Sequence, residues 1–458
     1  MVFSSLFFIF IFLPFALIIY FIVPHKFKNI TLLLLSLLFY SWGEPRYLLL
    51  MLASILVDYS MSLMISAFRN NKFITHLGLL ISILFNIGAL FFFKYAGFFA
   101  STINSLFNVN LPILNLILPL GISFYTFQTL SYTIDVYLEK VPAEKNIITF
   151  ATFVALFPQL IAGPIVKYTD INENLHHRNF SPQNLQIGLQ YFIIGLGKKV
   201  LLANNIGSLW SEVQRLGFYR LSTPLVWLGI CAFSLQIYFD FSGYSTMAIG
   251  LGKMLGFDFP QNFNFPYISK SITEFWRRWH ITLSSWFKTY VYIPLGGNRV
   301  GPIRLMFNLL IVWALTGLWH GASWNFVLWG LFFFVILNIE KLGFLTFLED
   351  HPIFAHIYTI FILLISWAIF STLDFKDLKS LFHKLFNWYG GTDYLYYLRS
   401  YFITFSIAII CSTKLPLKFY NRISNYTWLT NIIYLVIFVL SIAYLVDATY
   451  NPFLYFRF

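Results

Sequence analysis

Three side chains in this sequence combine a reactive residue type with an unusual position. His320 lies in the middle of an uncharged run, "LLIVWALTGLWHGASWNFVLWGL", at 309–331. His280 follows the string "WRRW", and Tyr455 stands near the C-terminus within "FLYFRF". An imidazole can accept a proton near neutral pH, and a phenol becomes a nucleophile when an adjacent base takes its proton. The sequence therefore offers one candidate base, a second histidine and one tethered nucleophile.

The position of His320 indicates a functional site, because an ionisable residue inside an apolar span is rare. At helical spacing, Thr316, His320 and Trp324 would share one face. Gly317 and Gly321 lie beside that face and would let another helix or a substrate approach closely. Two interpretations are open: a neutral imidazole that accepts a proton, or a structural histidine that is hydrogen-bonded to a neighbouring helix.

The composition indicates a protein that is folded in lipid. Of the 458 residues, 59% are apolar, 21% are aromatic and 10% are charged, whereas soluble chains carry about 25% charged residues. The net charge of +12 is explained by the excess of Lys and Arg in cytoplasmic loops. Because these cations are scattered between apolar runs, we exclude nucleic-acid binding, which needs them on one exposed domain. The predicted fold class is an all-α polytopic membrane protein.

We predict roughly a dozen spans, since a helix needs about 20 apolar residues to cross a bilayer. The first run is interpreted as a retained span, because it lacks a basic start and a small-x-small cleavage site. The two cysteines, Cys231 and Cys411, have no second thiol nearby and give no disulfide or metal pattern. The predicted spans lie near 3–23, 29–41, 47–66, 76–99, 112–134, 147–166, 186–206, 224–251, 304–319, 323–343, 353–371, 397–412 and 429–447.

The segment 253–304 breaks this apolar pattern with seven Lys or Arg against two acids. Positive-inside bias predicts that it lies on the cytoplasmic face. Ser271 followed by Glu274 is a capping-box pattern, and an amphipathic helix at the interface or dipping into the membrane is expected. The segment also carries three tryptophans, Trp276, Trp279 and Trp286.

Two interpretations of this segment are open. It could be an interfacial anchor, with its tryptophans in the headgroup layer and Arg277 and Arg278 on lipid phosphates. It could instead form a cytoplasmic-side site for an anionic substrate such as a nucleotide or coenzyme. His280 by itself is typical of an interfacial histidine, and only the fold could bring it close to His320. Neither histidine has the carboxylate pair or the i, i+4 spacing of a metal site.

Longer motifs in the sequence resemble the membrane-bound O-acyltransferase (MBOAT) family. The resemblance rests first on "EFWRRWHITLSSWFKTYVYIPLGGNR" and "LTGLWHGASWNFVLWG", and it is strongest to the bacterial branch of alginate and peptidoglycan O-acetyltransferase membrane subunits. One departure is "SSWFKTY", which replaces a more basic run of that branch. Further stretches typical of the branch are "YSWGEPRYLLLMLASILVDY" (40–59), "GISFYTFQTLSYTIDVY" (121–137), "FPQLIAGPIVKY" (157–168), "SLQIYFDFSGYSTMAIGLGKMLGF" (234–257) and "DATYNPFLYFRF" (447–458).

The resemblance implies a single membrane domain over 1–458, in which a ring of tilted helices with re-entrant or interfacial helices surrounds a central tunnel. It implies that His320 is the catalytic residue and that His280 is a second family histidine on the cytoplasmic approach to the tunnel. It also implies that Tyr455, in a C-terminal tail at 448–458, takes the acyl group as a covalent carrier. An aromatic-belt role for Tyr455 is the alternative.

The resemblance further implies acetyl-CoA as co-substrate, with no permanently bound cofactor. The partners implied are the lipid bilayer and an extracytoplasmic protein with an SGNH-hydrolase-like fold, which moves the acyl group onto a polysaccharide. CoA phosphates should stay on the basic cytoplasmic side while the narrow pantetheine arm reaches mid-membrane. The candidate substrate- and CoA-binding residues are Trp276, Arg277, Arg278, Lys288, Arg299, Trp324 and Asn325.

The expected function is therefore export of acetyl groups across a bacterial cytoplasmic (inner) membrane for O-acetylation of a cell-envelope polysaccharide. A composition rich in Phe, Ile, Asn and Lys, as AT-rich genomes encode, favours peptidoglycan over alginate as the acceptor. Alginate or another exopolysaccharide stays open. So does a different class, a non-catalytic transporter or lipid-handling membrane protein.

Overall fold

The structure, a computed structural model, describes residues 2–114, 116–178 and 180–447. The predicted tail at 448–458, including Tyr455, lies outside the described residues. The described residues form these α-helices: α1 (Leu13–Ile22), α2 (Lys28–Gly43), α3 (Leu48–Ala67), α4 (Lys72–Leu90), α5 (Ala96–Phe107), α6 (Ile122–Tyr137), α7 (Ile147–Ala155), α8 (Phe157–Leu160), α9 (Tyr168–His176), α10 (Pro182–Gly197), α11 (Asn205–Leu216), α12 (Thr223–Met254), α13 (Ile272–Arg278), α14 (Ile281–Phe287), α15 (Pro302–His320), α16 (Trp324–Ile339), α17 (Leu345–Asp350), α18 (Pro352–Ser371), α19 (Phe375–Phe386), α20 (Asp393–Cys411), α21 (Leu415–Ile423) and α22 (Thr427–Asp447).

Short segments with other helical geometry connect or extend these helices. Single 3₁₀ turns are formed by His25–Phe27, Pro45–Tyr47, Phe218–Arg220 and Pro266–Ile268. Wider π-helical turns are formed by Phe8–Phe12, Phe91–Tyr95, Lys198–Asn204, Lys288–Tyr292 and Glu340–Phe344.

The prediction of a polytopic, all-α membrane protein is confirmed. Within the described part of the chain, nine helical segments are long and apolar enough to cross a bilayer. A tenth apolar helix, Phe8–Ile22, is shorter. The nine are Pro45–Ala67, Lys72–Phe107, Pro182–Leu216, Thr223–Met254, Pro302–His320, Trp324–Asp350, Pro352–Ser371, Asp393–Cys411 and Thr427–Asp447.

Two of the predicted spans are wrong. The run at 112–134 is helical only from Ile122, and the stretch before it contains two prolines, which disfavour a continuous helix. The run at 147–166 is broken after Ala155, and Gly163 has a φ of 142° that ordinary helices exclude. Residues 122–133 and 149–166 are buried inside the protein, whereas 112–114 and 116–117 are exposed but not helical. Apolar content alone distinguishes neither case from a lipid-facing helix.

The described chain divides into two compact units. One comprises Met1–Phe192 with Ala248–Pro260, and the other comprises Ile193–Met247 with Gln261 onward. His280 and His320 both belong to the second unit. The single domain expected over 1–458 stays a prediction.

A buried carboxylate organises the first unit. Asp58 on α3 is fully buried and accepts hydrogen bonds from the Ser82 hydroxyl, from Asn86 Nδ2 at 2.8 Å and from Thr133 Oγ1 at 3.2 Å. These donors lie on α4 and α6, so one acidic side chain ties together three helices. Polar contacts of this kind hold helices together where lipid supplies no hydrophobic drive.

The second unit has an aromatic core at its centre. The Trp276 ring of α13 packs against Trp313 of α15 at 4.8 Å, against Trp329 of α16 at 5.7 Å and against Phe333 at 5.0 Å between centroids. Trp329 in turn stacks on Trp367 of α18 at 6.4 Å. These rings are fixed by contacts from four helices, and the His320 imidazole packs against one of them, Trp329.

Candidate active site

His320 is the last residue of α15 and is almost completely buried, with 4% of its surface exposed. Three aromatic rings surround its imidazole edge to face: Trp329 at 4.9 Å, Trp319 at 5.0 Å and Phe370 at 5.3 Å between centroids. The rings come from α15, α16 and the end of α18. Contacts from three helices leave the imidazole little freedom to reorient.

The helix does not continue through His320, as a shared face with Thr316 and Trp324 would require. The chain leaves α15 at Gly321, which has extended φ/ψ angles of −177° and 156°, and α16 begins at Trp324. Trp324 is 45% exposed, whereas His320 is buried. The predicted common face is therefore wrong, because a turn separates the two residues.

The glycine prediction is confirmed for Gly317. A Cβ atom added there would lie 2.4 Å from the carbonyl oxygen of Phe326. On the partner helix, a Cβ on Gly330 would lie 2.3 Å from the carbonyl oxygen of Trp313 and 3.3 Å from the Cα of Gly317. Helices α15 and α16 thus touch backbone to backbone, and this contact sets the position of the His320 end of α15 against Trp329.

His280 breaks the amphipathic helix predicted for this segment into α13 and α14. Its φ and ψ of 44° and 53° are left-handed, a conformation uncommon for a residue other than glycine. The side chain is fully buried. Its imidazole lies 4.7 Å from the Phe241 ring and 6.5 Å from the Phe263 ring. Burial, followed by the nearby His320, holds the pKa of His280 well below its usual value near 6.5, so the ring is neutral at pH 7.

Trp319 brings the two histidines into one site. Its ring lies 5.7 Å from the His280 imidazole and 5.0 Å from the His320 imidazole between centroids. Forty residues separate the histidines in the chain, so the fold creates this proximity. The sequence-predicted pair of histidines therefore lies around one indole in one compact unit.

The carboxylate of Glu340, which the sequence analysis did not identify, holds the first residues of α13 in place. Glu340, fully buried in the segment after α16, accepts hydrogen bonds from the backbone N–H of Ile272 at 2.7 Å and of Thr273 at 2.8 Å. The Thr273 hydroxyl donates to it at 2.6 Å. Ser271 Oγ accepts from the Glu274 N–H at 2.9 Å, which confirms the predicted N-cap. Glu340 and Ser271 together satisfy the first backbone donors of a helix that begins inside the protein.

The interfacial-anchor interpretation is wrong for the tryptophans. Trp276, Trp279 and Trp286 have 8%, 2% and 6% of their surface exposed, so protein surrounds them. A headgroup-layer tryptophan would be exposed in the isolated chain. Trp276 belongs to the aromatic core, where its ring packs against Trp329.

The predicted basic residues separate into two groups. Arg278 makes an ion pair with Glu274 at 2.7 Å and donates to the carbonyl oxygen of Asn264 at 3.2 Å. Arg277, Lys288 and Arg299 are exposed, and no carboxylate of the described residues lies within ion-pair distance of them. These three cations can bind an anionic ligand, whereas the charge of Arg278 is already compensated by the Glu274 carboxylate.

Asn325 is buried one residue into α16. Its Nδ2 donates to the carbonyl oxygens of Ile369 at 3.4 Å and Phe370 at 3.2 Å, which fixes the amide orientation. One turn later, Trp329 contacts His320. Among the described residues, no hydrogen-bond partner reaches Asn325 Oδ1 or Trp329 Nε1. Helix α16 thus carries one acceptor and, one turn later on the ring that contacts His320, one donor that a ligand could use.

A buried ion pair elsewhere in the second unit also escaped the sequence analysis. Lys199 and Asp240 lie in two different spans, each about 1% exposed, with 2.5 Å between Nζ and Oδ1. Asp240 directly precedes Phe241, which contacts His280. The rule that singled out His320, an ionisable residue within an apolar run, applied to both residues and would have found them.

The sequence of this chain is similar to those of known membrane-bound acyltransferases. Residues 37–371 match the sequence model of the membrane-bound O-acyltransferase family. A probable alginate O-acetylase of Pseudomonas putida is 36% identical over the full length of both chains. A peptidoglycan O-acetyltransferase of Helicobacter pylori is 38% identical over 74% of this chain and 70% of its own. A teichoic acid D-alanyltransferase of Streptococcus thermophilus is 28% identical over 46% of this chain and 54% of its own.

Proposed function

This chain belongs to the membrane-bound O-acyltransferase family and is a multi-pass membrane enzyme of that kind. From this premise we propose that it transfers acetyl groups from cytoplasmic acetyl-CoA across a bacterial inner membrane. The acetyl groups serve for O-acetylation of a cell-envelope polysaccharide. The observation that carries the proposal is the pair of buried imidazoles, His280 and His320, around the single ring of Trp319. A transporter without chemistry would not need this arrangement.

His320 is the proposed base. The phenol of Tyr455, in the tail outside the described residues, attacks the thioester carbon while His320 takes its proton. The C–S bond then breaks, and the CoA thiolate leaves with the proton that His320 returns. The products are acetyl-tyrosine and CoA–SH, so atoms and charge balance. The base is needed because a free phenol has a pKa near 10 and is a poor nucleophile at neutral pH.

The exposed cations Arg277, Lys288 and Arg299 support acetyl-CoA as the donor. A coenzyme phosphate can pair with them without entering the hydrocarbon. Asn325 Oδ1 and Trp329 Nε1, beside His320, can accept from and donate to a polar arm that reaches the imidazole. The cytoplasmic location of these cations follows from positive-inside bias.

The acceptor is proposed from the relatives, whose names include alginate and peptidoglycan O-acetylation at similar identity. We propose that an extracytoplasmic, SGNH-hydrolase-like partner takes acetyl from Tyr455 and places it on the polysaccharide. Peptidoglycan is the acceptor that the composition favours, and alginate is the second candidate.

The test is acetyl transfer by histidine variants in cells and in vesicles loaded with labelled acetyl-CoA. We expect His320→Ala to abolish acetyl export and polysaccharide acetylation, because no base then accepts the phenolic proton. His383→Ala is the matched control, since His383 is an exposed histidine on α19, and we expect it to behave as wild type.

Mass spectrometry of muropeptides and of exopolysaccharide from a deletion strain would identify the acceptor. Loss of acetyl from one polymer assigns it. If His320→Ala exports acetyl at the wild-type rate, or if the deletion changes neither polymer, the proposed function is wrong.

A further inference from the structure

His280 sits at the end of a short polar network centred on Asn262. Asn262 is fully buried, and its side-chain oxygen Oδ1 has three neighbours that carry hydrogen. The Thr282 N–H lies 3.3 Å away, the Thr282 hydroxyl 2.9 Å away and His280 Nδ1 3.1 Å away. The Asn262 carbonyl oxygen also accepts from the Ile281 N–H at 3.0 Å. One asparagine thus holds three consecutive residues of the turn between α13 and α14.

These contacts determine the orientation of the amide. A backbone N–H can only donate, so the atom that faces the Thr282 N–H must be the amide oxygen, because –NH₂ there would place donor against donor. The same oxygen faces His280 Nδ1. An amide oxygen can only accept, so Nδ1 must carry the proton. In a neutral imidazole the other nitrogen, Nε2, then holds the lone pair.

We propose that Asn262 is a positioning residue that fixes His280 as its neutral Nδ1–H tautomer, so that His280 enters the reaction as an acceptor through Nε2. This inference rests on the proposed function for what His280 accepts. The two histidines then have different roles. His320 receives the proton of the attacking phenol, and His280 accepts a hydrogen bond through Nε2 at the same site.

The surroundings of His280 suit this role. Its ring is packed against Phe241 of α12, Phe263 of the preceding segment and Trp319 of α15. His320 is a titratable group that acts on it electrostatically and lowers the pKa of His280. A proton on His320 therefore disfavours a proton on His280.

Asn262 also stabilises the left-handed backbone conformation of His280. A non-glycine residue in this conformation is strained and persists only where neighbours fix it. Four hydrogen bonds that Asn262 oxygens accept from residues 280–282 supply that fixation. The break between α13 and α14 is thereby held in the geometry that points the imidazole inward.

The first test is ¹⁵N NMR of histidine-labelled protein in micelles, with the His280 signals assigned as those missing from His280→Gln. We expect a protonated Nδ1 and an unprotonated Nε2 at neutral pH. This measurement needs no acetyl transfer, so it decides the tautomer even if the proposed function fails. An Nε2–H tautomer would overturn the inference.

The second test changes only charge. Asn262→Asp keeps the oxygen that accepts from Thr282 and His280 but adds a carboxylate beside the ring, which should raise the pKa of His280 by about 1–3 units. We expect the acid limb of the pH–rate profile to move upward by the same amount, because His280 then loses its lone pair at a higher pH.

Asn264→Asp is the matched control, since Asn264 is an exposed asparagine two residues along the same segment. We expect its pH profile to coincide with that of wild type. If His280 does not accept through Nε2 in the reaction, the acid limb stays unmoved in Asn262→Asp. That result, in a protein that unfolds at the wild-type temperature, would refute the positioning role.

Discussion

Replacing Gly330 by alanine probes how precisely the site must be positioned. The new Cβ would lie 2.3 Å from the carbonyl oxygen of Trp313, whereas ordinary contacts of this kind begin at 3.4 Å. Because the opposing atoms are backbone, α15 and α16 must separate by about 1 Å. Trp329, next in sequence to Gly330, contacts His320 across this interface. We expect the acetyl-transfer rate to fall by roughly 10²-fold, as a misplacement of about 1 Å can cause.

The assay is transfer from labelled acetyl-CoA in proteoliposomes, together with thermal unfolding of the purified variant. Overpacking should cost about 1–3 kcal/mol of stability. Gly88→Ala is the matched control: Gly88 is a helical glycine on α4 with nothing within 4 Å of an added Cβ. We expect it to be as active as wild type and equally or more stable. Wild-type transfer and stability in Gly330→Ala would show that this backbone contact does not position His320.

Three further perturbations test other parts of the structure. Lys199→Met alone should destabilise the protein by about 3–5 kcal/mol, because Asp240 would be left charged and buried, and adding Asp240→Leu should recover much of the loss in thermal unfolding. Glu340→Ala should lower the unfolding temperature through about 1–3 kcal/mol for each backbone donor of α13 that it leaves unpaired, whereas an unchanged temperature would show that water replaces the carboxylate. Arg277→Ala with Arg299→Ala should raise KM for acetyl-CoA and weaken its salt dependence, and a KM equal to that of wild type would exclude both from coenzyme binding.

Apolar run length predicted most of the membrane spans, because a bilayer demands long uncharged helices. It failed at 112–134, where two prolines precede a helix that begins only at Ile122, and at 147–166, where the helix is broken after Ala155 and Gly163 has a non-helical φ. Over 122–133 and 149–166 the side chains pack inside the protein, and hydropathy does not separate that environment from lipid.

The candidate site was predictable in its residue types but not in its geometry. His320 could be selected as a candidate base from its sequence surroundings, whereas His280 by itself looked interfacial and was singled out by the family resemblance. The ring of Trp319 between them is a product of the fold. The tryptophans of 276–286 pack inward because α13 and α14 are enclosed by other helices, whereas the sequence left open an interfacial anchor with these tryptophans in the headgroup layer.

The residues that support the site gave weaker signals. Asn262 stands in "PQNFNFPY" as a polar residue among aromatics, 18 residues before the histidine that it contacts, and no local pattern links the two. Glu340 lies 68 residues after the backbone that it caps. Contacts at such separations are set by how helices pack, so only the three-dimensional structure identifies them.

Mass spectrometry of the C-terminal peptide after incubation with acetyl-CoA is the most direct test of acetyl transfer at His320. We predict an acetyl group on Tyr455 in the wild-type protein and in His383→Ala, and none in His320→Ala or in Tyr455→Phe. A His320→Ala protein whose C-terminal peptide is acetylated as fast as that of wild type would contradict the account.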